Sequence, residues 1–155
     1  MKPAMAGGLS FTLETEPAGR VGDYLLGEKL GSGGFADVYA ARRVAPAADE
    51  KPLALKLLRP GMDSREIVAR FELEQRLLRH LNHPGIVNIV DSGLTPQGRP
   101  FFVMELIHGL PITEHVTVAA MPVRERMRLF AQVCDAVQHA HQKAVLHRDL
   151  KPGNF

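Results

Sequence analysis

Three glycines in four positions, Gly31-Ser32-Gly33-Gly34, lie between two runs that both read as strand. Tyr24 to Leu30 leads in and Phe35 to Arg42 leads out. Glycines take backbone conformations that side chains forbid, and they let the main chain come close to an anion. The residues after the glycines constrain the fold. A Walker-type phosphate loop needs Gly-Lys-Ser/Thr and then a helix. A dinucleotide fingerprint also opens a helix. Neither continuation is present, so the pattern is strand, glycine turn, strand.

The rest of the chain extends this pattern. Residues 1–20 hold Pro3, Gly7, Gly8, Pro17 and Gly19 without sustained periodicity and read as a flexible leader. Val44 to Lys51 is a Pro/Ala/charged connector, and Leu53 to Leu58 is an apolar run of buried-strand length. Pro60-Gly61 breaks the chain. Asp63-Ser64-Arg65-Glu66 then reads as a capping box opening a helix to about Leu81, with Phe71, Leu78 and Leu81 on its apolar face. Asn82-His83-Pro84-Gly85 stops it. Ile86 to Val90 and Phe101 to Leu106 read as two more strands joined by a polar turn over 92–100. Pro122 suits the first position of a second long helix ending near Ala144. Val123, Met127, Phe130, Val133, Val137 and Ala140 recur on it at steps of three and four, which marks one stripe for burial. The sum is five strands with one helix after the third, then mostly helix.

Bulk properties exclude several classes. With 155 residues the chain can bury one real core, and 19 basic against 17 acidic residues gives no charge argument for nucleic acid. Arg124, Arg126 and Arg128 read as a solvated helix face. Cys134 is the only cysteine, which excludes an intrachain disulfide and fits a reducing, cytoplasmic compartment. It lies among apolar helical positions and reads as a small core residue. No stretch approaches the ~18 apolar residues of a membrane span, and the histidines show no metal-ligand spacing.

Three places carry chemistry. Lys56 lies in an otherwise apolar strand, with Ala54 on the same face; an ammonium there needs an anionic partner. Glu74 follows Phe71 by three residues and precedes Leu78 by four, so it projects from the apolar face of its helix. It needs a partner too, and the two answer each other. Glu72 is the rival, but it sits about 100° round the helix from Phe71. Finally, His147-Arg148-Asp149-Leu150-Lys151-Pro152-Gly153-Asn154 places a carboxylate, an ammonium and a carboxamide within six residues.

This eight-residue run resembles the H-R-D-L-x-x-x-N catalytic loop of protein kinases, and Lys151 resembles the serine/threonine branch. The glycine turn resembles the kinase G-x-G-x-x-G-x-V loop ending at Val38, with Ala36 in place of the third glycine. Leu53-Ala54-Leu55-Lys56 resembles the kinase V-A-I-K strand. Several stretches, among them Arg59-Pro60-Gly61-Met62-Asp63, resemble bacterial (Hanks-type) serine/threonine kinases, whose members often carry repeat domains downstream.

The resemblance covers residues 24–155. It implies an α+β, protein-kinase-like fold: a five-stranded antiparallel small lobe with one helix over 21–106, then the start of a helical large lobe over 107–155. It implies transfer of the ATP γ-phosphoryl to Ser or Thr hydroxyls of a protein. Asp149 would orient the substrate hydroxyl, Lys151 would neutralise the γ-phosphate, and Asn154 would hold Mg²⁺. Leu30, Gly31, Ser32, Gly33, Gly34, Phe35 and Val38 would cover the nucleotide. Ala54, Lys56 and Glu74 would line and grip it. Met104 would stand behind the adenine, with the backbones of Glu105 and Ile107 at its edge.

The D-F-G segment and later helices of the family are not within these residues. The long helix's stripe is therefore expected to lack its full partner, and the chain to turn over little or no substrate. A non-catalytic nucleotide-binding or regulatory module is the alternative. An aminoglycoside-type small-molecule kinase is disfavoured by Lys151 and the glycine loop.

Overall fold

The computed structural model describes residues 19–146 and 150–152. Six strands form one antiparallel sheet: β1 (Gly19–Val21), β2 (Tyr24–Ser32), β3 (Ala36–Arg43), β4 (Leu53–Leu58), β5 (Ile89–Leu94) and β6 (Pro100–Glu105). Their order across the sheet is β1-β2-β3-β4-β6-β5. Among the described residues there are three helices: α1 (Arg65–Arg79), α2 (Ile112–Val118) and α3 (Val123–Gln142). The sheet thus has one strand more than the five expected. The extra one is β1, which takes in Gly19 and Arg20 from the expected leader. It exists because Gly19, Arg20 and Val21 pair with Leu26, Leu25 and Tyr24.

β4 is interior to the sheet and apolar along its length, and every residue of it except Lys56 is buried. A strand covered on both faces reads as such a run. One face joins Leu55, Val103, Phe101, Leu57 and Leu53 to Tyr24 and Leu26. The other joins Leu58, Ala36 and Phe102 to Phe71 of α1, with Met104 and Phe35 against them. The Phe71 and Phe102 rings lie 5.1 Å apart.

A polar clasp joins β2 to β5. Tyr24 donates its hydroxyl to Asp91 Oδ2 at 2.6 Å, and the Arg43 guanidinium lies over its ring. Burial, and then the Asp91 carboxylate, push the phenol well above its ordinary range.

Several boundaries differ from expectation. Ser64, not Asp63, caps α1, its Oγ accepting from Ile67 N. The helix therefore begins at Arg65, and Glu66 falls one position too early to reach back; it pairs with Arg70 one turn on, at 2.5 Å. β5 runs Ile89–Leu94 rather than 86–90, because Ser92, Gly93 and Leu94 pair with Phe102, Phe101 and Pro100. The turn shrinks to 95–99, closed by Thr95 N–H to Arg99 O at 2.9 Å, with Gly98 at φ 75°.

Gly93 is required by its neighbour. A Cβ there would stand 3.0 Å from the Phe101 ring, which is itself buried. Gly93→Ala is expected to cost about 1–3 kcal/mol, read as a lower urea midpoint. An unchanged midpoint would mean that the ring moves freely.

α3 begins after Pro122, which occupies the cap itself, and ends before Ala144 at φ 59°. Its stripe is open. Val123, Met127 and Phe130 are 72%, 62% and 59% exposed, and Ala136 is the buried residue of this helix. Cys134 is exposed, against the expectation of a core residue, because it lies on that uncovered side. It lines a groove with Phe130, Val137 and Ile112, to which Leu150, Lys151 and Pro152 also contribute. α3 approaches the segment between α1 and β5 where Ala136 meets Gly85 and His83 pairs with Asp135 at 3.1 Å.

Candidate active site

Two alternate rungs of the sheet gather Gly31, Val38, Ala54, Lys56 and Met104 from the singled-out residues. Gly31 pairs with Val38, Val38 with Lys56, and Lys56 with Phe102. On the next rung of the same face, Ala40 pairs with Ala54 and Ala54 with Met104. Side chains two apart on a strand share a face. Val38, Ala54, Lys56 and Met104 therefore form one patch, bounded on one side by the glycine turn.

Lys56 Nζ lies 2.6 Å from Glu74 Oε1. The strand sets the lysine's face, and α1 is docked through Phe71, one helical turn before Glu74. Glu72 is exposed on another side of the helix. The lysine ammonium lies over the Phe102 ring, with Nζ 5.6 Å from its centroid. Such a pair is oriented rather than strongly stabilising, since both groups keep some water. An oriented ammonium beside a glycine turn can grip an anion.

α1 is tied to the sheet a second way. Gln75 Nε2 and Arg79 donate to Ser92 Oγ at 2.7 and 2.8 Å. Helix docking, and with it the Lys56–Glu74 distance, thus depends on both an aromatic contact and a polar one.

The glycine turn is a hairpin tip. Gly33 N–H donates to Ala36 O at 2.8 Å. Asp37 receives the Ser32 hydroxyl at 2.6 Å and the Lys29 ammonium at 2.9 Å. These two donors hold the Asp37 carboxyl below the usual carboxylate range. Phe35 tucks under the turn against the core, while Leu30 and residues 32–34 are exposed. Asp37 and Arg59, which contacts this turn, were not marked out by sequence reasoning. A carboxylate just inside a strand after a glycine turn was the available signal for Asp37; Arg59 offered none.

At the far end of β6, Glu105 donates its N–H to Asn88 O at 3.3 Å and its carboxylate meets Lys51 at 3.5 Å. Leu106 N–H donates to Pro52 O, and Ile107 beyond it is exposed. Lys151 is among the residues that line the α3 groove. Asp149 and Asn154 lie outside the described residues. Among the described residues no cluster of three His, Cys, Asp or Glu side chains could hold a metal, and no helix is long and apolar enough to cross a membrane.

Known proteins share this arrangement. The model of the family described as "Protein kinase domain" matches residues 24–155. The serine/threonine-protein kinase Pkn1 of Myxococcus xanthus is 37% identical over 139 residues, covering 88% of this chain and 19% of its own length. PrkC of Bacillus subtilis is 33% identical, covering 86% of this chain and 20% of its own. PknB of Mycobacterium tuberculosis is 35% identical, with 91% and 23% covered. The chain thus spans about a fifth of the length of these relatives. Among solved structures, the kinase domain of M. tuberculosis PknI superposes with a TM-score of 0.65 at 29% identity, over 87% of this chain and 54% of that one. With the glycine hairpin, the strand lysine and the helix glutamate already in place, these matches establish that the chain belongs to the protein kinase family, in its serine/threonine branch.

Proposed function

We propose that this chain supplies the ATP-binding half of the kinase domain of a protein serine/threonine kinase, the whole protein transferring the γ-phosphoryl of ATP to Ser or Thr hydroxyls. The observation that carries the reading is the 2.6 Å contact between Lys56 and Glu74 on the rung that begins at Gly31. A lysine held this way meets the α- and β-phosphates of a nucleotide as a fixed charge. Leu30, Gly31, Ser32, Gly33, Gly34, Phe35 and Val38 cover the phosphates. Ala54 leaves room for the adenine, Met104 stands behind it, and the backbones of Glu105 and Ile107 meet its polar edge.

Asp149 orients the accepting hydroxyl, and Lys151 balances charge on the transferring group. Mg²⁺ neutralises the polyphosphate in this chemistry, and Asn154 is the residue assigned to it. The described residues add no acidic cluster for the ion. Balanced charge favours a protein partner over nucleic acid.

A second reading is a nucleotide-binding module without turnover, favoured by the open apolar side of α3 as a surface for a protein partner. Thermal unfolding with ATP and Mg²⁺, run beside transfer of labelled phosphate to a generic Ser/Thr protein, separates them. A rise in unfolding temperature of roughly 5–10 °C at about 100 Kd of nucleotide is expected. Transfer that disappears in Asp149→Asn would establish the kinase reading for the chain itself. Binding without transfer by the 155-residue chain is what both readings expect of it. The same assay on a longer protein that continues through a D-F-G segment then decides: transfer there, lost in Asp149→Asn, establishes the kinase reading, and no transfer there favours the module. No response to any nucleotide would sink both.

A further inference from the structure

We infer that Arg59 is a positioning residue that clamps the tip of the glycine turn and so sets the affinity of the site for the phosphate part of a nucleotide; this rests on the nucleotide-binding reading of the site. Arg59 follows the last residue of β4. Its Nη2 donates to Gly33 O at 3.0 Å and to Gly34 O, and its main-chain N–H donates to Phe35 O at 2.9 Å. Three successive carbonyls of the turn are therefore held by one residue.

The tip has little else to fix it. A Cβ built on Gly31 or Gly34 would meet nothing within 4 Å among the described residues, so neither glycine is packed by them. Unpacked glycines lose the most entropy on ordering, and hydrogen bonds must supply the order. The Asp37 brace with Ser32 and Lys29 acts at the base of the turn; Arg59 acts at the tip. The guanidinium is committed to this role. Its Nε is buried without a hydrogen-bond partner, which is unfavourable unless the Nη contacts hold the group in place.

Peptide geometry gives the clamp a direction. In a planar trans peptide, the C=O of one residue and the N–H of the next point opposite ways. With the Gly33 and Gly34 carbonyls turned to Arg59, the N–H groups of Gly34 and Phe35 turn away from it. Successive N–H groups aimed away from a cation on the far side are free to cover an anion. Without the clamp those peptides can rotate, and a carbonyl can face the phosphate instead.

The test uses the 155-residue chain with Arg59→Ala and Arg59→Lys, the latter keeping the charge but losing the fork. Amide hydrogen exchange at 33–35 is measured without nucleotide, and calorimetry gives Kd for ADP and for adenosine. Arg59→Ala is expected to speed exchange at Gly33 and to weaken ADP about tenfold while leaving adenosine unchanged. Arg59→Lys should fall between, and it carries the test alone if the alanine variant does not fold. Equal weakening of ADP and adenosine, or unchanged exchange at the tip, would overturn the clamp. A parent chain that binds neither ligand would instead overturn the nucleotide reading, and the affinity claim with it; the exchange data would still decide whether Arg59 fixes the turn.

Discussion

Lys56→Met is expected to abolish the nucleotide-dependent rise in unfolding temperature while leaving the unliganded protein almost as stable as before. The two halves of this result have separate causes. Methionine is unbranched like lysine and can lie beside the Phe102 ring over which the ammonium stands, so packing on that face of β4 is expected to survive. The partner left behind, Glu74, is 39% exposed in its side chain and can be hydrated. Losing a pair of this kind costs at most about 1 kcal/mol. Binding is different, because the ammonium is the group that meets the phosphates. A nucleotide at about 100 Kd stabilises by about 2.7 kcal/mol, and this is the quantity that should vanish. Calorimetric or dye-monitored unfolding of both proteins, with and without ATP and Mg²⁺, measures it. If Lys56→Met still responds to nucleotide like the parent, Lys56 does not grip phosphate.

Phe71→Ala should produce the largest loss of stability, about 3–5 kcal/mol. Phe71 is fully buried where α1 meets the sheet, against Phe102, Leu58 and Ala36. Total stabilities of single domains are about 5–15 kcal/mol, so this one ring is a large share. The change reaches the site as well. Glu74 lies one helical turn from Phe71, and a helix that lifts off the sheet carries its carboxylate away from Lys56. Urea unfolding gives the comparison, with Leu73→Ala on the exposed side of the same helix as control. That control should stay within about 0.5 kcal/mol. A Phe71→Ala loss no larger than the control's would mean that the Ser92 hydrogen bonds, not the aromatic contact, hold α1.

The parts of the fold that a bare chain reveals divide along physical lines. Lys56 and Glu74 were visible because each is a charge in a periodic apolar setting, and such a charge needs a partner. β4 was visible because a strand covered on both faces reads as an apolar run, here interrupted only by Lys56. β1 was not, since three residues carry no period and gain their structure only from β2. Nor was the end of β5, where Asp91, Ser92 and Gly93 look like a turn but are held by Tyr24, Gln75 and the Phe101 ring. Asp63 and Ser64 are both good caps, and only the backbone angles at Ser64 decide between them. Arg59 was invisible for a different reason: its partners are main-chain carbonyls, which leave no mark in a sequence. α2 is one short helix over 112–118, too brief for a pattern. The open stripe of α3 shows that an apolar period marks a surface suited to burial, whether or not something covers it.

The strand order also bears on how the protein comes to be folded. β1, β2, β3 and β4 lie side by side in the sheet in the order they have along the chain, and β5 and β6 form a hairpin of their own. Every pairing but one joins consecutive strands, so most closures are short and lose little entropy. The exception is β4 with β6, which must wait for α1 and β5 between them. A chain emerging at about 5–20 residues per second can therefore finish four strands before the residues that complete the Lys56 site have been made. Joining β6 to β4 then closes the sheet and brings Phe102 to Lys56 and Phe71 in one event.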